Sequence, residues 1–220
     1  MTDRALGQRA QRHSALGDPV RLAIVEDLVS SDRTSLELQE RSGLASNSLA
    51  YHLEVLESAG LITRCQSSGD GRRWYVCLVP SALPVPPAPA AVGPQPALFV
   101  CTQNSARSPL AAALWRQITA KPATSAGTHP ADRIHQRAVA AGRRAGLDLS
   151  EARPRHLEDI DALPELVVTV CDRAHEELDP PPDWLHWSLP DPVEAGTRNA
   201  FDATVAELRD RITALADTAA

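Results

Sequence analysis

In the stretch Leu98-Phe-Val-Cys-Thr-Gln-Asn-Ser-Ala-Arg-Ser-Pro109, a cysteine and an arginine are separated by five residues, at the junction of an apolar run and a helix-forming one. A loop in that setting turns the backbone N–H groups of Thr102, Gln103, Asn104, Ser105 and Ala106, together with the positive end of a helix dipole, toward one point, which makes an anion cradle. The same field is expected to hold Cys101 as a thiolate at neutral pH. Arg107 supplies a planar fork for two oxygens of a tetrahedral oxyanion, a geometry lysine lacks. Asn104 and Ser108 are suited to hold the loop and the sulfur. A thiolate attacking an oxyanion needs a proton for the leaving oxygen, and Asp191 in HWSLPDPVEAGT, stiffened by Pro190 and Pro192, is the candidate acid. Taken singly, these residues also fit a buried cysteine, a surface arginine and a turn aspartate.

The elements needed to position them are legible as alternating strands and helices. ALFVC is a short apolar strand, Pro109–Thr119 a helix with proline at its first position, Ala138–Ala145 a helix, ELVVTVC an apolar strand and Arg198–Ala216 a last helix. This alternation predicts an α/β domain over 97–220, a four-stranded parallel sheet with flanking helices. Residues 80–96 carry seven prolines and no charge. They predict a semi-rigid linker able to hold two domains up to roughly 50 Å apart at about 3.1 Å per residue.

Residues 1–79 have a different pattern. Ser14–Val29 has near-helical apolar spacing with a start signal at Asp18-Pro19, and Leu36–Arg41 is a short helix ended by Gly43. Ser46 is placed to cap a helix burying Leu49, Leu53 and Leu56, with Asn47, Ser48, Tyr51 and His52 on its outer face. LITRC and RRWYVCLV flank the turn SSGDG as a hairpin. Two helices around a tight turn followed by a hairpin predict an α+β winged helix-turn-helix, a DNA-binding pattern. The rival reading is a small helical domain with a hairpin.

Composition narrows the classes. The chain has 220 residues, a formal charge of −6 and four widely spaced cysteines, Cys65, Cys77, Cys101 and Cys171. No long apolar run marks a membrane span or leader, so a cytoplasmic protein with reactive or buried thiols is expected. Net negative charge excludes indiscriminate nucleic-acid binding. Nine arginines face ten acids over residues 1–80, so DNA contact must rest on placement rather than bulk charge.

LGDPVRLAIVEDL, RSGLASNSLAYHLEVLESAGLI and GDGRRWYVCL, within about residues 14–79, closely resemble winged-helix repressors of the ArsR family. The resemblance implies a homodimer on a double-stranded DNA operator, with the helix from Asn47 in the major groove and the wing at Arg72 and Arg73 on the DNA backbone or minor groove. The cysteine pair that arsenic-sensing members carry in the first helix of the motif is absent from TSLELQERSG. Cys65 and Cys77, on the two wing strands, are candidates for a soft ligand such as arsenite, or else packing residues.

CTQNSARSP, the SAGTHP segment from Ser125, VVTVCD at 167–172 and LPDPVEAGT at 189–197 look like thiol-dependent arsenate reductases of the low-molecular-weight phosphatase fold. That resemblance makes Cys101 the nucleophile, Arg107 the oxyanion clamp, Asp191 the general acid and Cys171 the second thiol, with no resident cofactor or metal. Thioredoxin-coupled members have a third cysteine a few residues further on, where CDRAHEELDP has none. An external thiol such as mycothiol or glutathione, or a thioredoxin- or mycoredoxin-like protein acting on a Cys101–Cys171 disulfide, is the implied substitute. Tyrosine phosphatases of this fold place aromatic residues after the Asp-Pro pair, where Val193 and Glu194 stand here. The expected activity is therefore arsenate reduction joined to transcriptional regulation. The alternatives are a regulator that uses the second domain as an oxyanion or arsenic sensor, and a phosphatase.

Overall fold

A computed structural model describes residues 3–84 and 95–216 of the chain. The first half is helical with a small sheet: α1 (Asp3–Leu16), α2 (Pro19–Ser30), β1 (Arg33–Thr34), α3 (Ser35–Ser42), α4 (Ser46–Ser58), β2 (Ile62–Gln66) and β3 (Trp74–Leu78). The second half contains β4 (Ala97–Cys101), α5 (Arg107–Thr119), β5 (Ala123–Gly127), α6 (Gln136–Arg144), β6 (Leu166–Thr169), α7 (Asp172–Leu178), β7 (Leu185–His186), α8 (Pro192–Ala195) and α9 (Arg198–Ala216).

The run from Ser14 to Val29 is divided between two helices. α1 ends at Leu16 and Asp18 starts the next: its carboxylate accepts from the N–H groups of Val20 and Arg21, and Pro19 takes the first helical position, where a missing N–H costs nothing. Thr34 and Glu37 form a reciprocal capping box on α3, and Gly43, at φ 67°, closes it in a left-handed turn that favours glycine. α4 buries Leu49, Leu53 and Leu56 as its spacing predicts, but Ala45 occupies the cap position and no side chain caps this helix, so Ser46 is inside it. Antiparallel β2 and β3 form the wing, and β1 pairs with the other edge of β3 in the order β1-β3-β2.

The C-terminal sheet is parallel, ordered β5-β4-β6-β7. Central strands β4 and β6 are buried along their whole length, and all but Thr169 of their residues are apolar, because both faces are covered. Phe99, Val168 and Leu166 face the larger core with Leu110, Leu114, Trp115, Phe201 and Leu208, while Leu98, Val100 and Val167 face a smaller one. α5 begins at Arg107, two residues before Pro109.

The two halves are packed against each other, in contrast to domains held apart by a spacer. Pro80–Ala82 form a 3-10 turn with Ala82 buried, and residues 85–94 of the proline-rich stretch lie outside the described residues. α9 packs on α5 and α6 and also on α2. The seam is polar and largely buried. The Asp32 carboxylate pairs with Arg211 at 2.9 Å, and both side chains are at least 95% buried. The Trp187 indole donates to Ser30 O at 2.9 Å. Asp172 accepts from the N–H and hydroxyl of Ser68 at the wing, and Glu176 accepts from Ser67, Asp70 and Tyr75. Buried polar groups of this kind are costly unless partnered, and no composition or periodicity signal announces that their partners lie in the other half.

Candidate active site

Cys101 is the last residue of β4, and the five residues after it turn sharply into α5. The turn needs Asn104 in the left-handed region, at φ 47°. Its side chain pins the loop from both sides: Oδ1 accepts from Arg155 N–H at 3.1 Å and Nδ2 donates to Ser108 Oγ at 2.9 Å. The loop carbonyls of Cys101, Thr102, Gln103 and Ser105 accept from the N–H groups of Thr128, His129, Ala131 and His135. Among the described residues, no protein group accepts from the N–H groups of Gln103 through Ala106. Carbonyls turned out and N–H groups turned in are the signature of an anion nest. Gly127 permits this packing, since a Cβ there would stand 2.6 Å from Thr102 O. Nothing in the sequence marked Gly127 for this role.

The Cys101 sulfur is 2.9 Å from Ser108 Oγ. Burial pushes its thiol up from the usual range, opposed by the Arg107 guanidinium and by the hydroxyl and N–H of Ser108. Burial thus opposes the thiolate expected from the sequence, while Arg107 and Ser108 favour it. The Arg107 side chain is 6% exposed and donates from Nη1 to Leu189 O at 2.8 Å and from Nη2 to Asp191 Oδ2 at 2.6 Å. Asp191 also caps α8, accepting from Val193 N–H at 2.8 Å. The loop after β7 thus meets Arg107 directly. Cys101 meets Ser108, and Asp191, singled out by the resemblance rather than by spacing, meets Arg107.

Cys171 lies beyond the end of β6 as the cap residue of α7. It is buried, and its sulfur lies 3.2 Å from Thr102 Oγ1, so a second thiol stands against the anion loop. All four cysteines are free. Its neighbour Asp172 is also buried. Burial raises that carboxyl, but hydrogen bonds from His186 and from Ser68 N–H outweigh it and hold the group below the ordinary range. The role of Asp172 and His186 was not visible in the sequence.

The outer face of α4 presents Asn47 and Tyr51 to solvent, Tyr51 at 60% exposure, with Ser48 half-buried. His52 departs from that face: its side chain is 13% exposed and turns toward Asp18, 3.8 Å away. Arg72 and Arg73 are exposed on the wing, Arg72 paired with Asp70 and Arg73 3.9 Å from Glu176. Cys65 is opposite Tyr75 and Cys77 is opposite Thr63, so the two cysteines are diagonal neighbours on the same side of the wing sheet.

Residues 97–220 match the low molecular weight phosphotyrosine protein phosphatase family, and residues 16–65 match a helix-turn-helix domain. A curated archaeal relative, an arsenate reductase candidate of Halobacterium salinarum, is 31% identical over 106 residues, covering 43% of this chain and 72% of that protein. Among solved structures, an arsenate reductase from Archaeoglobus fulgidus is 26% identical, with a TM-score of 0.45 over 54% of this chain and 97% of that one. A thioredoxin-dependent arsenate reductase from Corynebacterium glutamicum is 27% identical, with a TM-score of 0.41 over 56% of this chain and 64% of that one.

Proposed function

The chain belongs to the low molecular weight phosphotyrosine protein phosphatase family, and from that premise we propose that it is a thiol-dependent arsenate reductase fused to a DNA-binding regulator. The observation that carries the reading is the pair of thiols on one anion loop: Cys101 inside it, hydrogen-bonded to Ser108, and Cys171 against Thr102. A phosphatase needs the first thiol only.

Arsenate takes the place of the oxyanion in the nest, with its oxygens on the loop N–H groups and the Arg107 fork. The Cys101 sulfur attacks arsenic, an arsenic–oxygen bond breaks, and the leaving oxygen departs as water with protons from the thiol and from Asp191. Cys171 then attacks the Cys101 sulfur. The S–As bond electrons pass to arsenic, which leaves as arsenite, and a Cys101–Cys171 disulfide remains. Arsenate plus two thiols gives arsenite, one disulfide and water. An external thiol such as mycothiol or glutathione, or a redoxin, reduces the disulfide.

The N-terminal domain is the regulator, a homodimer reading a palindromic operator through α4. The helix-turn-helix match and the exposed Asn47 and Tyr51 support this. The setting is cytoplasmic. The reductase reading is tested by incubating reduced Cys101→Ser chain with arsenate: no arsenite should form, and formation at the wild-type rate contradicts the mechanism.

A further inference from the structure

The segment 186–191 has two edges. On one, Leu189 O and the Asp191 carboxylate hold the two terminal nitrogens of Arg107. On the other, the N-terminal domain grips it: Asp32 Oδ2 accepts from Ser188 N–H at 2.7 Å, Asp32 N–H donates to His186 O at 2.7 Å, and Ser31 Oγ exchanges hydrogen bonds with the His186 backbone. Ser188 N, fixed by Asp32, and Leu189 O, fixed by Arg107, are one residue apart. With its carboxylate wholly buried and paired to Arg211, Asp32 is a rigid acceptor, and a shift of about 1 Å in such a support is enough to cost a site on the order of a hundredfold.

We propose that Asp32, a residue of the DNA-binding domain, is a positioning residue for the oxyanion site: it sets the height of the 188–191 segment and so the orientation of the Arg107 fork. The catalytic domain is then incomplete without the N-terminal one. Binding of oxyanion at Arg107 and formation of the Asp32–Ser188 bond favour each other, as linkage requires.

The inference rests on Arg107 being an oxyanion clamp, so the probe is inorganic phosphate, which binds without redox chemistry and makes the outcome independent of whether arsenate is turned over. Two full-length double variants isolate the acceptor. Asp32→Leu/Arg211→Met removes the ion pair and the acceptor together, whereas Asp32→Asn/Arg211→Met removes the ion pair but leaves an amide oxygen for Ser188 N–H; neither leaves Arg211 buried without a counter-charge. By calorimetric titration, the leucine variant should bind phosphate about tenfold or more weakly than wild type, and the asparagine variant should recover most of that loss at a similar Tm. Equal phosphate affinity in the two variants overturns the proposal, because the acceptor then makes no difference. In the unmodified chain, saturating phosphate should slow amide hydrogen exchange at Ser188, and unchanged exchange there also overturns it, even where the variants fail to fold.

Discussion

At the residue scale the chemistry depends on one sulfur held in a buried loop. Burial raises the Cys101 thiol above the ordinary range, against the pull of Arg107 and Ser108, and in the proposed mechanism its proton leaves with the arsenate oxygen. Alkylation of Cys101 by iodoacetamide should therefore be slow at pH 7 and accelerate with rising pH beyond the range of an exposed cysteine; fast alkylation at pH 7 would show the loop field to prevail. Arg107→Lys should lose on the order of a hundredfold in single-turnover efficiency, since a point charge cannot make the two bonds to Leu189 O and Asp191. In Cys171→Ser the Cys101–arsenic adduct is expected to form but to be released only by added thiol, so the single equivalent of arsenite expected from wild type without a reductant should vanish.

At the element scale, the anion loop rests on a close contact between β5 and the turn after β4. Gly127→Ala places a Cβ where Thr102 O and the Asn104 backbone already stand. Phosphate affinity should fall at least tenfold while the parallel sheet persists, as measured by titration and circular dichroism; unaltered affinity would mean that the loop does not need this approach. On α4, Tyr51→Ala should weaken operator binding more than binding to random duplex. His52→Ala should chiefly lower Tm, because its ring is turned toward Asp18. Local structure was legible in the sequence. C-x5-R in a strand–loop–helix setting located Cys101 and Arg107, Asp18-Pro19 marked a helix start, and the apolar period of Leu49, Leu53 and Leu56 located the buried face of α4. It was less informative where a residue's partner is distant in the chain. His52 and Tyr51 are adjacent and both polar, and only the packing of α4 against the α2 cap decides which is turned inward. Asn104 was singled out in the sequence as a loop-holding residue, whereas Gly127 is an ordinary glycine until the loop is folded over it.

At the scale of the whole molecule, the proline-rich stretch suggested separate domains, yet the seam joins them through Asp32, Ser68, Tyr75, Asp172, Glu176 and Arg211. Hydrogen bonds between residues more than a hundred positions apart leave no local pattern to read. The seam also contains stacked His175 and His186, 4.1 Å apart. Burial, with the neighbouring His186, pushes His175 down from 6.5 to about 3. Its neutral form therefore stabilises the docked state, fully above pH 6.5; as pH falls through 6.5 toward 3 an undocked or unfolded chain takes the proton and that stabilisation is lost. The Trp187 indole proton, bonded to Ser30 O, should keep its bonded NMR position at pH 7 and lose it in acid within that interval, whereas His175→Gln should flatten the dependence. A profile identical in the variant would place the acid sensitivity elsewhere.

The central claim is tested most directly by counting thiols in the full-length reduced chain before and after one equivalent of arsenate, with no other reductant present. The chain begins with four free cysteines; the account expects two to disappear, one equivalent of arsenite to form, and peptide mapping to find Cys101 joined to Cys171. An unchanged thiol count, or sustained arsenite production with no reductant supplied, would contradict it.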